Sequence, residues 1–208
     1  MVNILFSGID KKIGFSKSQA NCLKEEIESN FNIIFIASIF DDYERNNEQF
    51  NRYISFFNAI NISFENSGII DNRTNIENAL ELIKNANIIF LMGGSPELQM
   101  KSIIKYNLIK YFDNNKLYIG LSAGSMNQSK RVIYKDEFKN YEIQDYNGLG
   151  LINVNIFPHF DVNDINLLKE SFEICNKIPL ILLPNESFIR IKNNIVEYFG
   201  DYYLLRKQ

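Results

Sequence analysis

Short runs of Ile, Val, Leu and Phe recur along this chain, each followed by a longer stretch whose apolar residues fall three or four positions apart. A run of the first kind suits a strand buried on both faces, and a stretch of the second kind suits a helix that covers one of those faces. Repeated in this order they build βαβ units, so the expected fold class is α/β, a three-layer sandwich around a mostly parallel sheet. Asn3 to Ser7, Asn32 to Ile39, Asn87 to Met92, Leu117 to Leu121, Leu151 to Phe157 and Ile178 to Leu183 read as strands, with Ile62 to Ile70 a further one of mixed quality. Ser16 is placed to cap a helix carrying Ala20, Leu23, Ile27 and Phe31 on one face. Asn46 to Ile60, Pro96 to Tyr111, Ala123 to Gln128 and Asp164 to Asn176 read as further helices, and Thr74 with Glu77 suggests a capping box for one ending at Ala86. Lys130 to Gly150 loses periodicity and is expected to form a loop or irregular hairpin over an active site. From Ser187 to Leu205, turn signals at Asn193-Asn194 and Gly200-Asp201 predict antiparallel strands that close one sheet edge.

At 208 residues with 46% hydrophobic content, the chain is expected to form a single domain over 1–208. Lys and Arg number 22 against 25 Asp and Glu, a net charge of -3, which offers no broad basic field for nucleic acid or an anionic membrane. The N-terminal apolar run lacks a preceding basic region and reads as a strand, and no apolar stretch has the length of a membrane span. Cys22 and Cys175 stand far apart with no metal-ligand or disulfide spacing, so a reduced, cytoplasmic protein is expected.

The sharpest local feature is Gly120-Leu121-Ser122-Ala123-Gly124, a Gly-x-Ser-x-Gly between an apolar run and a helical one. In a nucleophile elbow, such glycines permit a sharp strand-to-helix turn that lifts the serine hydroxyl above the sheet. A glycine-rich turn that only packs closely, or holds a phosphate at a helix N-terminus, would carry the same pattern. Met92-Gly93-Gly94-Ser95-Pro96 ends another buried run in the same manner and could supply backbone N–H donors to an oxyanion. Two strand ends of this kind face one crevice in open α/β sheets.

A serine nucleophile needs a base, and His159 is the sole histidine of the chain. A lone histidine is ordinarily a structural or surface residue, but here it follows a strand, in Phe157-Pro158-His159-Phe160-Asp161, and the elbow tips the reading toward catalysis. The base in turn works best beside a carboxylate. Glu186 is preferred for that place because it follows the apolar run ending at Leu183, whereas Asp161 is too local to His159.

These residues resemble peptidase family S51, the group of aspartyl dipeptidase and cyanophycinase. Gly93-Gly94, Gly120-Leu-Ser122-Ala-Gly124, Pro158-His159-Phe160 and Glu186-Ser187 occur in the family's order, within a βα pattern covering nearly the whole chain. The resemblance implies a fold similar to class I glutamine amidotransferases, with Ser122 as nucleophile, His159 as general base, Glu186 as orienting acid, and Gly94 and Ala123 N–H groups as the oxyanion hole. It implies a serine peptidase that hydrolyses dipeptides or short peptides, including those with an N-terminal Asp, through an acyl-enzyme and with neither metal nor organic cofactor. An isopeptidase on the same scaffold, or a catalytically silent domain that binds a small ligand, are the alternatives. Ser95 stands where family members usually carry Asn, and Ser125-Met126-Asn127 also departs from the pattern, changes that fall on the substrate crevice. The absence of a cysteine at the elbow separates the chain from thiol-dependent amidotransferases. An acidic substrate would need a cation, and Arg131, close beyond the elbow, is the candidate against the alternative of a solvated surface arginine.

Overall fold

The computed structural model describes residues 1–136 and 139–207; Glu137, Phe138 and Gln208, which the expected irregular stretch and the expected domain include, lie outside the described residues. In chain order the strands are β1 (Val2–Phe6), β2 (Asn32–Ile36), β3 (Asn66–Ile70), β4 (Ile88–Leu91), β5 (Leu117–Leu121), β6 (Arg131–Asp136), β7 (Glu142–Asn147), β8 (Ile156–Phe157), β9 (Leu180–Leu182), β10 (Phe188–Lys192), β11 (Ile195–Phe199) and β12 (Tyr203–Leu205). The helices are α1 (Lys17–Glu26), α2 (Tyr43–Ala59), α3 (Ile76–Asn85), α4 (Pro96–Lys105), α5 (Ala123–Asn127) and α6 (Ile165–Cys175), with a 3-10 turn at Ile109–Tyr111.

The main sheet runs β11-β10-β1-β5-β4-β2-β3. From β1 to β3 its pairings are parallel, and β10 and β11 add an antiparallel edge. Every residue of β4 and β5 is buried, as two-faced coverage of central strands requires. Alternation along β1 divides the core: Ile4 and Phe6 join Phe15, Leu23 and Phe57 from the α1 and α2 side, whereas Leu5 joins Met126, Val132 and Ile181 on the opposite face. The α/β class, the mostly parallel sheet flanked by helices and the antiparallel C-terminal strands therefore stand as expected. No helix among the described residues is long and apolar enough to cross a membrane.

Local chemistry moved several boundaries. Ser16 caps α1 with Gln19 in a reciprocal capping box, but α1 ends at Glu26 because Ile27 is extended. Asp42 accepts the Arg45 N–H and starts α2 before Asn46. Asn75, not Thr74, caps α3; the Thr74 hydroxyl donates to the Ile69 carbonyl instead. Within Leu151 to Phe157 only β8 is strand, paired with β9 in a small second sheet that β12 completes. The Lys130 to Gly150 stretch forms the β6–β7 hairpin.

Candidate active site

The sheet order brings three strand ends together. β5 lies between β1 and β4, with Leu121 opposite Phe6 and Gly120 opposite Leu91, so the segments that follow all leave at one edge. Ser122 follows β5 with φ 50 and ψ -108, backbone angles rarely adopted by a residue with a Cβ. Such strain persists only where the surroundings impose it, and here they do so on both sides of the serine. The Ser122 N–H donates to the Phe6 carbonyl at 2.9 Å, while its own carbonyl accepts the Ser125 and Met126 N–H groups. Ser125 is fully buried and its hydroxyl donates to the same Phe6 carbonyl. The flanking glycines are forced by space: a Cβ on Gly120 would lie 2.5 Å from Ser125 backbone atoms, and one on Gly124 2.0 Å from the Leu91 carbonyl oxygen. The turn has the backbone form that a nucleophile elbow requires.

His159 meets this serine across the sheet edge. Its Nε2 lies 2.7 Å from Ser122 Oγ, and its Nδ1 lies 2.5 Å from Asn185 Oδ1. A carbonyl oxygen only accepts, so the tautomer that matches this contact carries its proton on Nδ1 and turns the Nε2 lone pair toward the Ser122 hydroxyl. His159 is itself held with φ 58, and its N–H donates to the Ser7 hydroxyl at 2.8 Å. Ser7, fully buried at the end of β1, passes its own proton to the Leu183 carbonyl at 2.8 Å. One buried hydroxyl therefore ties His159 to β1 and to the end of β9.

The residue beside His159 Nδ1 differs from the one expected. Glu186 is exposed and makes no hydrogen bond to His159; the position belongs to Asn185. The two occupy the centre of a turn closed by the Ser187 N–H on the Pro184 carbonyl, which sends neighbouring side chains in different directions. Gly8 fits against this turn, where a Cβ would come within 2.8 Å of the Asn185 carbonyl oxygen.

A cavity of about 880 Å³ opens at this point, large enough for a short peptide. Ser122, His159, Asn185 and Glu186 line it on one side, together with Gly93 and Gly94. Lys11, Arg45 and Arg52 line it as well. Tyr53 belongs to the same wall, and burial pushes its phenol up to about 12 against the opposing pull of Arg45 and Arg52, so it stays neutral. The Gly94 and Ala123 N–H groups have no hydrogen-bond acceptor among the described residues. A second cleft of about 890 Å³ lies along Asn32, Asn66, Ser67 and Arg73 at the β3 edge, and its hydroxyls, Ser67 and Thr74, have no histidine beside them in its lining.

Arg131 does not reach the cavity. It forms a two-pronged ion pair with Asp145 across the β6–β7 hairpin, with bonds of 2.9 and 2.7 Å. Asp145 stands diagonally across the hairpin from Arg131, opposite Ile133, within reach of a long side chain, and the guanidinium is engaged there and not at the cavity. None of the described hairpin residues lines this cavity, so the expectation that the irregular stretch covers it is corrected for those residues. Ser7, Ser38, Arg45 and Asn185 escaped notice in the sequence. Ser7 and Ser38 carry one readable signal, a small polar residue directly after or close after a buried strand of the parallel sheet.

Solved structures share this architecture. A peptidase from an acI-B1 Actinobacterium superposes with a TM-score of 0.72 at 17% identity, covering 99% of this chain and 90% of that one. A putative peptidase E protein from Listeria monocytogenes EGD-e superposes with a TM-score of 0.70, also at 17% identity, covering 95% of this chain and 97% of the other. No curated protein matches the sequence. The model of peptidase family S51 matches residues 6–198, which include every residue named at the site, and the chain belongs to peptidase family S51.

Proposed function

We propose that the protein is a serine peptidase that hydrolyses dipeptides or other short peptides, including those with an N-terminal Asp, through an acyl-enzyme at Ser122. The observation that carries this reading is the Ser122–His159 hydrogen bond of 2.7 Å at a strained elbow. His159 Nε2 takes the Ser122 proton as Oγ bonds to the scissile carbonyl carbon, and the carbonyl electrons move onto an oxyanion. Gly94 and Ala123 N–H groups receive that oxyanion. As the intermediate collapses the C–N bond breaks, and Nε2 returns its proton to the departing amine. Water repeats the sequence on the ester: Nε2 takes its proton, the acid leaves, and Ser122 regains its hydrogen. Neither metal nor organic cofactor enters this scheme. Lys11 at the cavity wall suits a substrate carboxylate better than Arg131, which lies outside the cavity and whose charge Asp145 already engages; Arg52 lines the cavity too but is paired with Glu48. Cys22 and Cys175, buried and unpaired, suit the reducing cytoplasm.

A small fluorophosphonate is expected to label Ser122 covalently, and a dipeptide library to show hydrolysis of Asp-Xaa members. Absence of both would favour a silent ligand-binding domain on this scaffold, and cleavage of isopeptide bonds alone would favour an isopeptidase. The orienting role has its own test. Asn185→Ala is expected to lower kcat/KM by about 10- to 100-fold, because Nδ1 loses the acceptor that fixes the tautomer. Glu186→Gln is expected to change it by less than about threefold. The reverse order would return the role to Glu186.

A further inference from the structure

Behind the paired glycines lies an arrangement that the elbow alone does not require. Ser38, fully buried just after β2, donates its hydroxyl proton to the Gly93 carbonyl at 2.7 Å. Arg45 grips the same pair: one guanidinium nitrogen lies 3.0 Å from Ser38 Oγ and the other 3.0 Å from the Gly93 carbonyl oxygen. Gly94 closes over this contact with φ +143, and a Cβ there would fall 2.2 Å from Ser38 Oγ and 2.6 Å from the guanidinium.

The placement of Arg45 is locally unfavourable. It is the third residue of α2, in the first turn, where the helix dipole repels a cation. No carboxylate of the described residues forms a salt bridge with it, whereas Arg52 on the same helix pairs with Glu48. A departure from local preference of this kind calls for a compensating role.

The peptide geometry supplies one. The Gly93 carbonyl and the Gly94 N–H belong to one planar trans peptide and point in opposite directions. Two donors, one cationic, therefore hold the carbonyl end and leave the N–H end directed away from the guanidinium. Charge drawn toward the Gly93 oxygen also increases the positive character of the Gly94 N–H, since hydrogen bonds in a chain polarise one another. We propose that Arg45, acting through Ser38 and the Gly93 carbonyl, is a positioning residue that orients and polarises the Gly94 N–H as an oxyanion donor.

The inference rests on the serine-peptidase reading and separates from it in one experiment. Arg45→Met, Arg45→Lys, Ser38→Ala and Ser122→Ala are assayed on one neutral and one Asp-containing dipeptide, with an aminoacyl boronate as an inhibitor that reaches the oxyanion site. Arg45→Met is expected to lower kcat by about 10- to 100-fold on both dipeptides, below the loss from deleting a donor outright, with KM within about threefold. Boronate affinity falls by the same factor as kcat/KM, and Arg45→Lys recovers part of both. Should Arg45→Met fail to fold, Ser38→Ala carries the test through the same split between kcat and KM, with a loss of about 3- to 10-fold. Unchanged kcat and boronate affinity overturn the proposal, as does a rise in KM confined to the Asp-containing dipeptide, which would make Arg45 a reader of the substrate. Inactive Ser122→Ala beside fully active Arg45 and Ser38 variants removes this inference alone. Active Ser122→Ala removes the peptidase reading and this inference with it.

Discussion

Ser122→Ala is expected to lower kcat/KM by about 10⁴- to 10⁶-fold while leaving the thermal midpoint nearly unchanged. In the proposed mechanism the size of the loss follows because nucleophile and base act as a unit: without Oγ, His159 has no proton to take and the oxyanion donors face only slow attack by water. The stability follows from the backbone. Alanine keeps the Cβ of serine, and the contacts that impose φ 50, the Ser122 N–H to Phe6 and the Ser125 hydroxyl to Phe6, use no atom of the deleted hydroxyl. The only side-chain hydrogen bond lost is the one to His159 Nε2, whose Nδ1 keeps Asn185. Steady-state kinetics with scanning calorimetry checks both halves. Turnover at the level of the native protein would end the serine-peptidase reading, and a collapse of the thermal midpoint would show that the hydroxyl holds the elbow together.

Gly124→Ala is expected to produce the opposite combination, losing stability and activity together. The new methyl carbon would sit 2.0 Å from the Leu91 carbonyl oxygen and 2.5 Å from its carbon, both backbone atoms of a fully buried central strand. Neither β4 nor α5 can yield by rotating a side chain, so α5 must move away from the sheet. Overpacking of this kind costs about 1–3 kcal/mol in a well-packed interior, and a backbone contact so short lies at the upper end. Displacement of α5 carries Ser122 and the Ala123 N–H with it, and an error near 1 Å in such a site costs about 100-fold in rate. Denaturant unfolding and kcat measured on the same preparation test this. A variant as stable and active as the native protein would mean that α5 packs less closely on β4 than its coordinates require.

Ser122 and His159 were legible because each is announced by its own neighbours. An apolar run long enough for a buried strand, then Gly-x-Ser-x-Gly, specifies a sharp turn through backbone sterics alone, and a sole histidine leaves no other imidazole to meet the serine. The paired glycines after β4 were readable for the same reason. Helix boundaries followed less faithfully, since Asp42 and Asn75 competed with nearby polar residues for one capping role.

The amino-acid sequence by itself determined the α/β alternation, the strand ends and the turn that presents Ser122, because burial periodicity and backbone sterics act over neighbouring residues. Only the tertiary structure decided that Asn185 rather than Glu186 meets His159, that Asp145 takes Arg131 across a hairpin, and that Arg45 and Ser38 converge on the Gly93 carbonyl. Those partners stand 26, 14, 48 and 55 positions apart in the chain. Their meeting depends on strand order, register and the direction each side chain takes from its turn, and none of these is encoded in the residues adjacent to them.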